Sequence, residues 1–215
     1  APCAGAMAAT LLTNLLNLGG KKQEAQPRMV ERQIQLVVTP IGTPLPGLQC
    51  FHTSVLVGDS EYVFENSGVR IGQGPQSHSR HNRQGRLSSR VDYGLAVVDI
   101  DAFETTLCTW FRPGSYDLLR KNCNSFSDCA LTFLIGQRID PRYRGAEAFA
   151  SVADRYLGLV QGLTSGKYRP NPNADGFDLE AATERLGFGR SAVHGMHHVG
   201  GPHSIHGGPV VAHGG

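Results

Sequence analysis

Residues 116–139 read YDLLRKNCNSFSDCALTFLIGQRI, and the rest of the chain is interpreted outward from them. Phe126, Cys129, Ala130, Phe133 and Leu134 recur at the spacing of an apolar helical stripe, which predicts a helix with one face turned into a core. Asn122 or Asn124 can cap the first turn, Asp128 suits the positive end of the dipole, and Gly136 followed by Pro141 makes a stop. Cys123 therefore stands at the helix start. Unpaired N–H groups there favour an anion, and Arg120 and Lys121 add positive charge. A thiol of ordinary pKa about 8.5 is thus expected to shift toward thiolate, as a nucleophile requires. A buried structural cysteine is the competing reading.

With 215 residues, 40% of them hydrophobic and 18% charged, the chain can hold one sizeable domain with tails. The formal charge of +2 does not argue for nucleic acid as a partner. Cys3, Cys50, Cys108, Cys123 and Cys129 make an odd set with no CxxC pair. That disfavours both a disulfide framework and a structural zinc site and points to a reducing compartment. No apolar run approaches the roughly 18 residues of a membrane span.

Three segments follow from composition: an N-terminal helical extension and linker over 1–28, a central domain over 29–161, and a C-terminal extension over 162–215. In the first, a helix is expected around Ala6 to Leu18, ended by Gly19 and Gly20. It reads as an interaction helix or an ordinary extension, with an organelle presequence as a minority reading.

From Val30, alternation of Ile34, Leu36 and Val38 predicts a first strand ending at Pro40, with GTPLPG as a loop. CFHTSVLVG and EYVFE, joined at Gly58 and Asp59, read as a hairpin. His52 enters that hairpin on the same side of the pleat as Ser54 and Leu56, opposite Phe51, Thr53 and Val55. By itself it is an ordinary structural or surface histidine. Asn66 to Arg90 holds five arginines and no acid, and reads as a long solvated loop or as a basic patch for an acidic protein surface or RNA. VDYGLAVVDI predicts a strand. DAFETTLCTWFRPG predicts a helix with Phe103, Leu107, Trp110 and Phe111 on one stripe.

After Pro141 a helix is expected over Ala146 to Leu159, then a loop at YRPNPNADGF, a short helix at LEAATERLG, and a Gly/His-rich tail holding six of the nine histidines. Clustered imidazoles can bind metal, but no carboxylate or thiol spacing defines a site, so a low-complexity tail is the simpler reading.

FHTSVLV together with YDLLRKNCNSFSDCALTFLIGQRI resembles the PPPDE family, the DeSI-type desumoylating isopeptidases. In these a strand histidine precedes a helix-start cysteine within an N-C-N-x-F-S signature. The likeness extends loosely over residues 30–145. It implies an α+β fold of the circularly permuted papain-like cysteine peptidase type, mostly antiparallel sheet packed against helices, and a catalytic dyad of His52 and Cys123. Phe51 in place of Trp, Asp140 interrupting Ile-Pro, the arginine-rich loop and both tails depart from the family pattern.

The dyad implies the chemistry. His52 takes the Cys123 proton, the thiolate attacks an isopeptide carbonyl, the imidazolium protonates the departing amine, and water resolves the thioester. Backbone N–H groups at the helix start, including that of Cys123, are natural oxyanion donors. No metal or cofactor is called for, and the sequence names no third residue to orient His52. The expected function is a cysteine isopeptidase removing a small ubiquitin-like modifier, SUMO or ubiquitin, from proteins. The alternatives are an S-acyl protein thioesterase using the same dyad and a non-catalytic docking protein of a larger assembly held through the tails. Modifier conjugates are the expected partners, without membrane or nucleic acid. The expected location is cytoplasmic or nuclear, with organelle targeting left open.

Overall fold

The computed structural model describes residues 29–45, 48–82, 85, 87–144 and 168–195. The helices expected over Ala6 to Leu18 and Ala146 to Leu159, and the Gly/His-rich tail beyond residue 195, lie outside them. Strands β1 (Met29–Leu45), β2 (Leu48–Val57), β3 (Ser60–Glu65), β4 (Gly68–Gln73) and β5 (Ser89–Asp99) form one sheet in the order β4-β3-β2-β1-β5. Every pairing is antiparallel. Period-two alternation sends Ile34, Leu36, Val38, Val55, Val57, Tyr62 and Phe64 to one face, where all are buried under the helices. Val37, Leu56 and Val63 face the other way and are buried as well.

Two expectations about this sheet are corrected. Strand β1 does not end at Pro40 but runs on to Leu45, pairing Pro40 with Phe51 and Ile41 with Cys50. Its ladder with β5 stops at Val38 opposite Ser89, so Pro40 has a strand on one side only and its missing N–H is tolerated. Nor is Asn66 to Arg90 a plain solvated loop. It supplies β4, a 3-10 turn at Gln76–His78, the one-turn helix α1 (Ser79–Asn82) and the start of β5. Gly68 opens β4 at φ 97°, where a Cβ would meet the Pro113 ring at 3.0 Å.

Helix α2 (Ile100–Trp110) starts on Asp99, whose carboxylate accepts from the Ala102 N–H at 3.0 Å. Helix α3 (Cys123–Ile135) is capped by Asn122 and ends at Gly136 in the left-handed conformation, φ 68°. Instead of burying one face, α3 is buried almost all round, Phe133 and Ile135 excepted. The sheet and α2 pack on one side, and α4 (Leu179–Gly195) adds Ala182 and Leu186 on the other. Phe111 is the hinge of the core, edge-on to Phe64 at 5.0 Å, Phe126 at 5.2 Å and Phe177 at 5.7 Å. Truncating such a ring to alanine costs about 3–5 kcal/mol.

Among the described cysteines Cys50, Cys123 and Cys129 are not in disulfides, whereas Cys108 is disulfide-bonded. Among the described residues no helix is long and apolar enough to cross a membrane.

Candidate active site

The segment before the cysteine is shaped by one buried carboxylate. Asp117 accepts from the backbone N–H groups of Leu119 (3.0 Å), Arg120 (2.9 Å) and Asn171 (2.8 Å) and from the Tyr168 hydroxyl (3.0 Å). Burial opposes its ionisation, but these donors and the Arg120 guanidinium hold its pKa below the usual carboxylate value. Arg120 is shared with Asp175 at 2.6 Å, and Lys121 is 7% exposed, its ammonium 5.5 Å from the Phe111 ring and 5.0 Å from Phe177. Asn122 then closes a capping box. Its Oδ1 accepts from Asn124 N–H at 2.9 Å and Ser125 N–H at 3.1 Å, while Ser125 Oγ accepts from Asn122 N–H at 3.2 Å.

Cys123 opens α3 and is 5% exposed. Its thiol lies 3.8 Å from Asn124 Oδ1. The expected shift toward thiolate is corrected: burial pushes the Cys123 pKa up. It outweighs the opposing donors, which are the Thr53 N–H, the Tyr116 hydroxyl and the N–H groups of Cys123 and Asn124. The two cations expected to help are engaged elsewhere, Arg120 with aspartates and Lys121 between phenyl rings. Strand β2 abuts the helix start here. Thr53 Oγ1 lies within hydrogen-bond reach of Asn124 Oδ1 (2.9 Å), Ser127 Oγ (2.9 Å) and the Cys123 carbonyl (3.3 Å).

His52 precedes Thr53 and, by the pleat, projects with Ser54 into a separate polar cluster. Its Nε2 is 2.9 Å from Ser77 Oγ, and its ring centroid is 4.6 Å from that of His78 and 5.3 Å from that of His81. Burial, then the charges of His81, Arg70 and Arg80, push its pKa down to about 4. At the centre is Glu61, wholly buried, accepting from Ser77 Oγ (2.6 Å), Ser77 N–H (3.0 Å) and Ser54 Oγ (2.8 Å). His78, also wholly buried, spans from Ser54 Oγ (2.9 Å) to Thr39 Oγ1 (2.6 Å). Burial, then His52 and His81, push it down to about 3. His52 and Cys123 share no hydrogen bond; Thr53, adjacent to one and touching the other, is what connects their surroundings.

At neutral pH the arrangement is a neutral, buried thiol at the start of α3 and, in a separate polar cluster, a neutral imidazole. Among the described residues no three His, Cys, Asp or Glu side chains are grouped to hold a metal ion. Sequence reasoning missed Ser77, His78 and Glu61. The one signal was an acid at a strand position paired with Leu56, where alternation expects an apolar side chain.

Residues 17–154 match the model of the "PPPDE putative peptidase domain", so the chain belongs to that peptidase family, and its α+β fold is the papain-like one the family implies. Over 107 residues it is 32% identical to desumoylating isopeptidase 1 of Rattus norvegicus, an alignment covering 48% of this chain and 59% of that protein. The chain thus matches rather less than two thirds of that relative's length.

Proposed function

We propose that the chain is a cysteine isopeptidase that removes a small ubiquitin-like modifier from proteins, with Cys123 as nucleophile and His52 as its base. The observation that carries this reading is the placement of the Cys123 thiol at the capped start of α3, packed against Thr53 of β2. In free protein both partners are neutral. Attack on an isopeptide carbonyl moves the thiol proton to His52, forms the C–S bond and places charge on the carbonyl oxygen. Helix-start N–H groups stabilise that charge, each donor lowering the barrier by about 3 kcal/mol. His52 then protonates the leaving lysine amine, and water hydrolyses the thioester. The relative's desumoylating activity supports the choice of substrate class.

The test pairs electrophilic probes built on modifier C-termini with turnover of a modifier conjugate. Cys123 is expected to carry the adduct, Cys123→Ser to lose turnover while keeping the fold, and His52→Ala to lose about 10²–10⁴-fold. An active Cys123→Ser protein rules the mechanism out. The near-complete covering of the thiol favours one second reading, a docking protein that keeps the fold without turnover. An inactive parent that takes no adduct would make it the better reading.

A further inference from the structure

His52 is tied to the sheet through two other side chains whose protons can be assigned by elimination. Ser77 has one hydroxyl hydrogen. Its Oγ lies 2.6 Å from Glu61 Oε1, and a carboxylate oxygen only accepts, so that hydrogen is spent on Glu61. What Ser77 offers His52 at 2.9 Å is therefore a lone pair, and the bond requires a hydrogen on Nε2. Glu61 is fixed in its turn: it is wholly buried on β3, and its other oxygen accepts the Ser77 N–H at 3.0 Å. Nδ1 then carries the lone pair, and it has no hydrogen-bond partner among the described residues.

We propose that Ser77 and Glu61 are positioning residues which hold His52 as its Nε2–H tautomer, making Nδ1 the nitrogen that receives the Cys123 proton. This rests on the reading of His52 as the base for Cys123. The S–H bond breaks, an Nδ1–H bond forms, and the same proton later leaves Nδ1 for the departing amine. The Nε2–H stays on Ser77 throughout, and the carboxylate behind it stabilises the transient imidazolium, as a carboxylate behind a catalytic histidine does in serine hydrolases.

Ser77→Ala removes the hydroxyl but keeps the Ser77 N–H bond to Glu61, so the turn stays anchored, and Ser77→Thr restores a hydroxyl. In the full chain, ¹⁵N NMR of the His52 imidazole is read beside steady-state turnover of a modifier conjugate. The parent is expected to show the Nε2–H form. Ser77→Ala should show a tautomer mixture with kcat lowered tenfold or more and KM within twofold, and Ser77→Thr should recover both. A parent with its proton on Nδ1 overturns the proposal, as does a Ser77→Ala protein with unchanged tautomer or unchanged kcat. Failure of the isopeptidase reading appears differently, as no turnover in the parent or a fully active His52→Ala protein. In that event the tautomer alone decides whether Ser77 holds His52: a change on Ser77→Ala supports the hold, and no change overturns it.

Discussion

Glu61 and Asp128 are both withdrawn completely from water, yet they are held in opposite ways. Asp128 meets two arginines: Arg138 forks onto it at 2.9 and 2.8 Å, and Arg144 stands 3.6 Å away. It also accepts the Ile139 N–H at 2.9 Å, and both arginines continue to Glu180 on α4. Glu61 meets two serine hydroxyls, one backbone N–H and a histidine 3.9 Å away that its surroundings keep neutral. A carboxylate matched by guanidinium has its charge cancelled and its geometry fixed, which suits a clamp between α3, the turn after it and α4. A carboxylate matched by hydroxyls orders the protons around it, and here the side chain it reaches through Ser77 is His52.

The largest effect separating the two is expected at the clamp. Asp128→Asn leaves Arg138 and Arg144 without their buried partner and should lower stability by about 3 kcal/mol in chemical denaturation, while turnover per folded molecule is kept. Loss of turnover without loss of stability would reverse the comparison.

Acid should act on the other region. His78 is depressed to about 3 and faces Glu61, His52 and His81, whereas an unfolded histidine titrates near 6.5. The unfolded chain therefore binds more protons than the folded one below about pH 6.5, and stability falls with pH until the folded pKa is reached. Between pH 7 and pH 5 each such histidine contributes about 2 kcal/mol to that fall. His78→Gln should flatten the descent measured by thermal or urea unfolding, and an unchanged slope would remove His78 from the account. The smallest effect belongs to the exposed end of the clamp. Glu180 is 71% exposed, so Glu180→Ala should change stability by about 0.5 kcal/mol or less. A larger loss would mean that the clamp draws on its exposed end as well as its buried one.

The sequence carried the helix of Cys123 well, since Asn122, Gly136 and the Phe126–Cys129–Ala130–Leu134 stripe each have a local signature. It also carried the hairpin at Gly58 and Asp59. The turn from Gln76 to Asn82 was invisible for a physical reason: its buried residue is a histidine satisfied by Thr39 and Ser54, which are distant in sequence and polar like itself. Periodicity sees apolar burial, and here burial is achieved by hydrogen bonds. The charge state of Cys123 was misjudged for a related reason. Arg120 and Lys121 are adjacent in sequence, but Asp117, Phe111 and Phe177 claim them in space.

The ties of Asp117 to Tyr168 and Asn171 span 51 and 54 residues of chain. A ribosome therefore finishes the cysteine segment well before it delivers the backbone N–H that completes the Asp117 cradle. Until the Asn171 region emerges, Asp117 lacks those two donors. The Asp117 cradle, and with it the shape of the segment leading into Cys123, is thereby complete only at a late stage of synthesis.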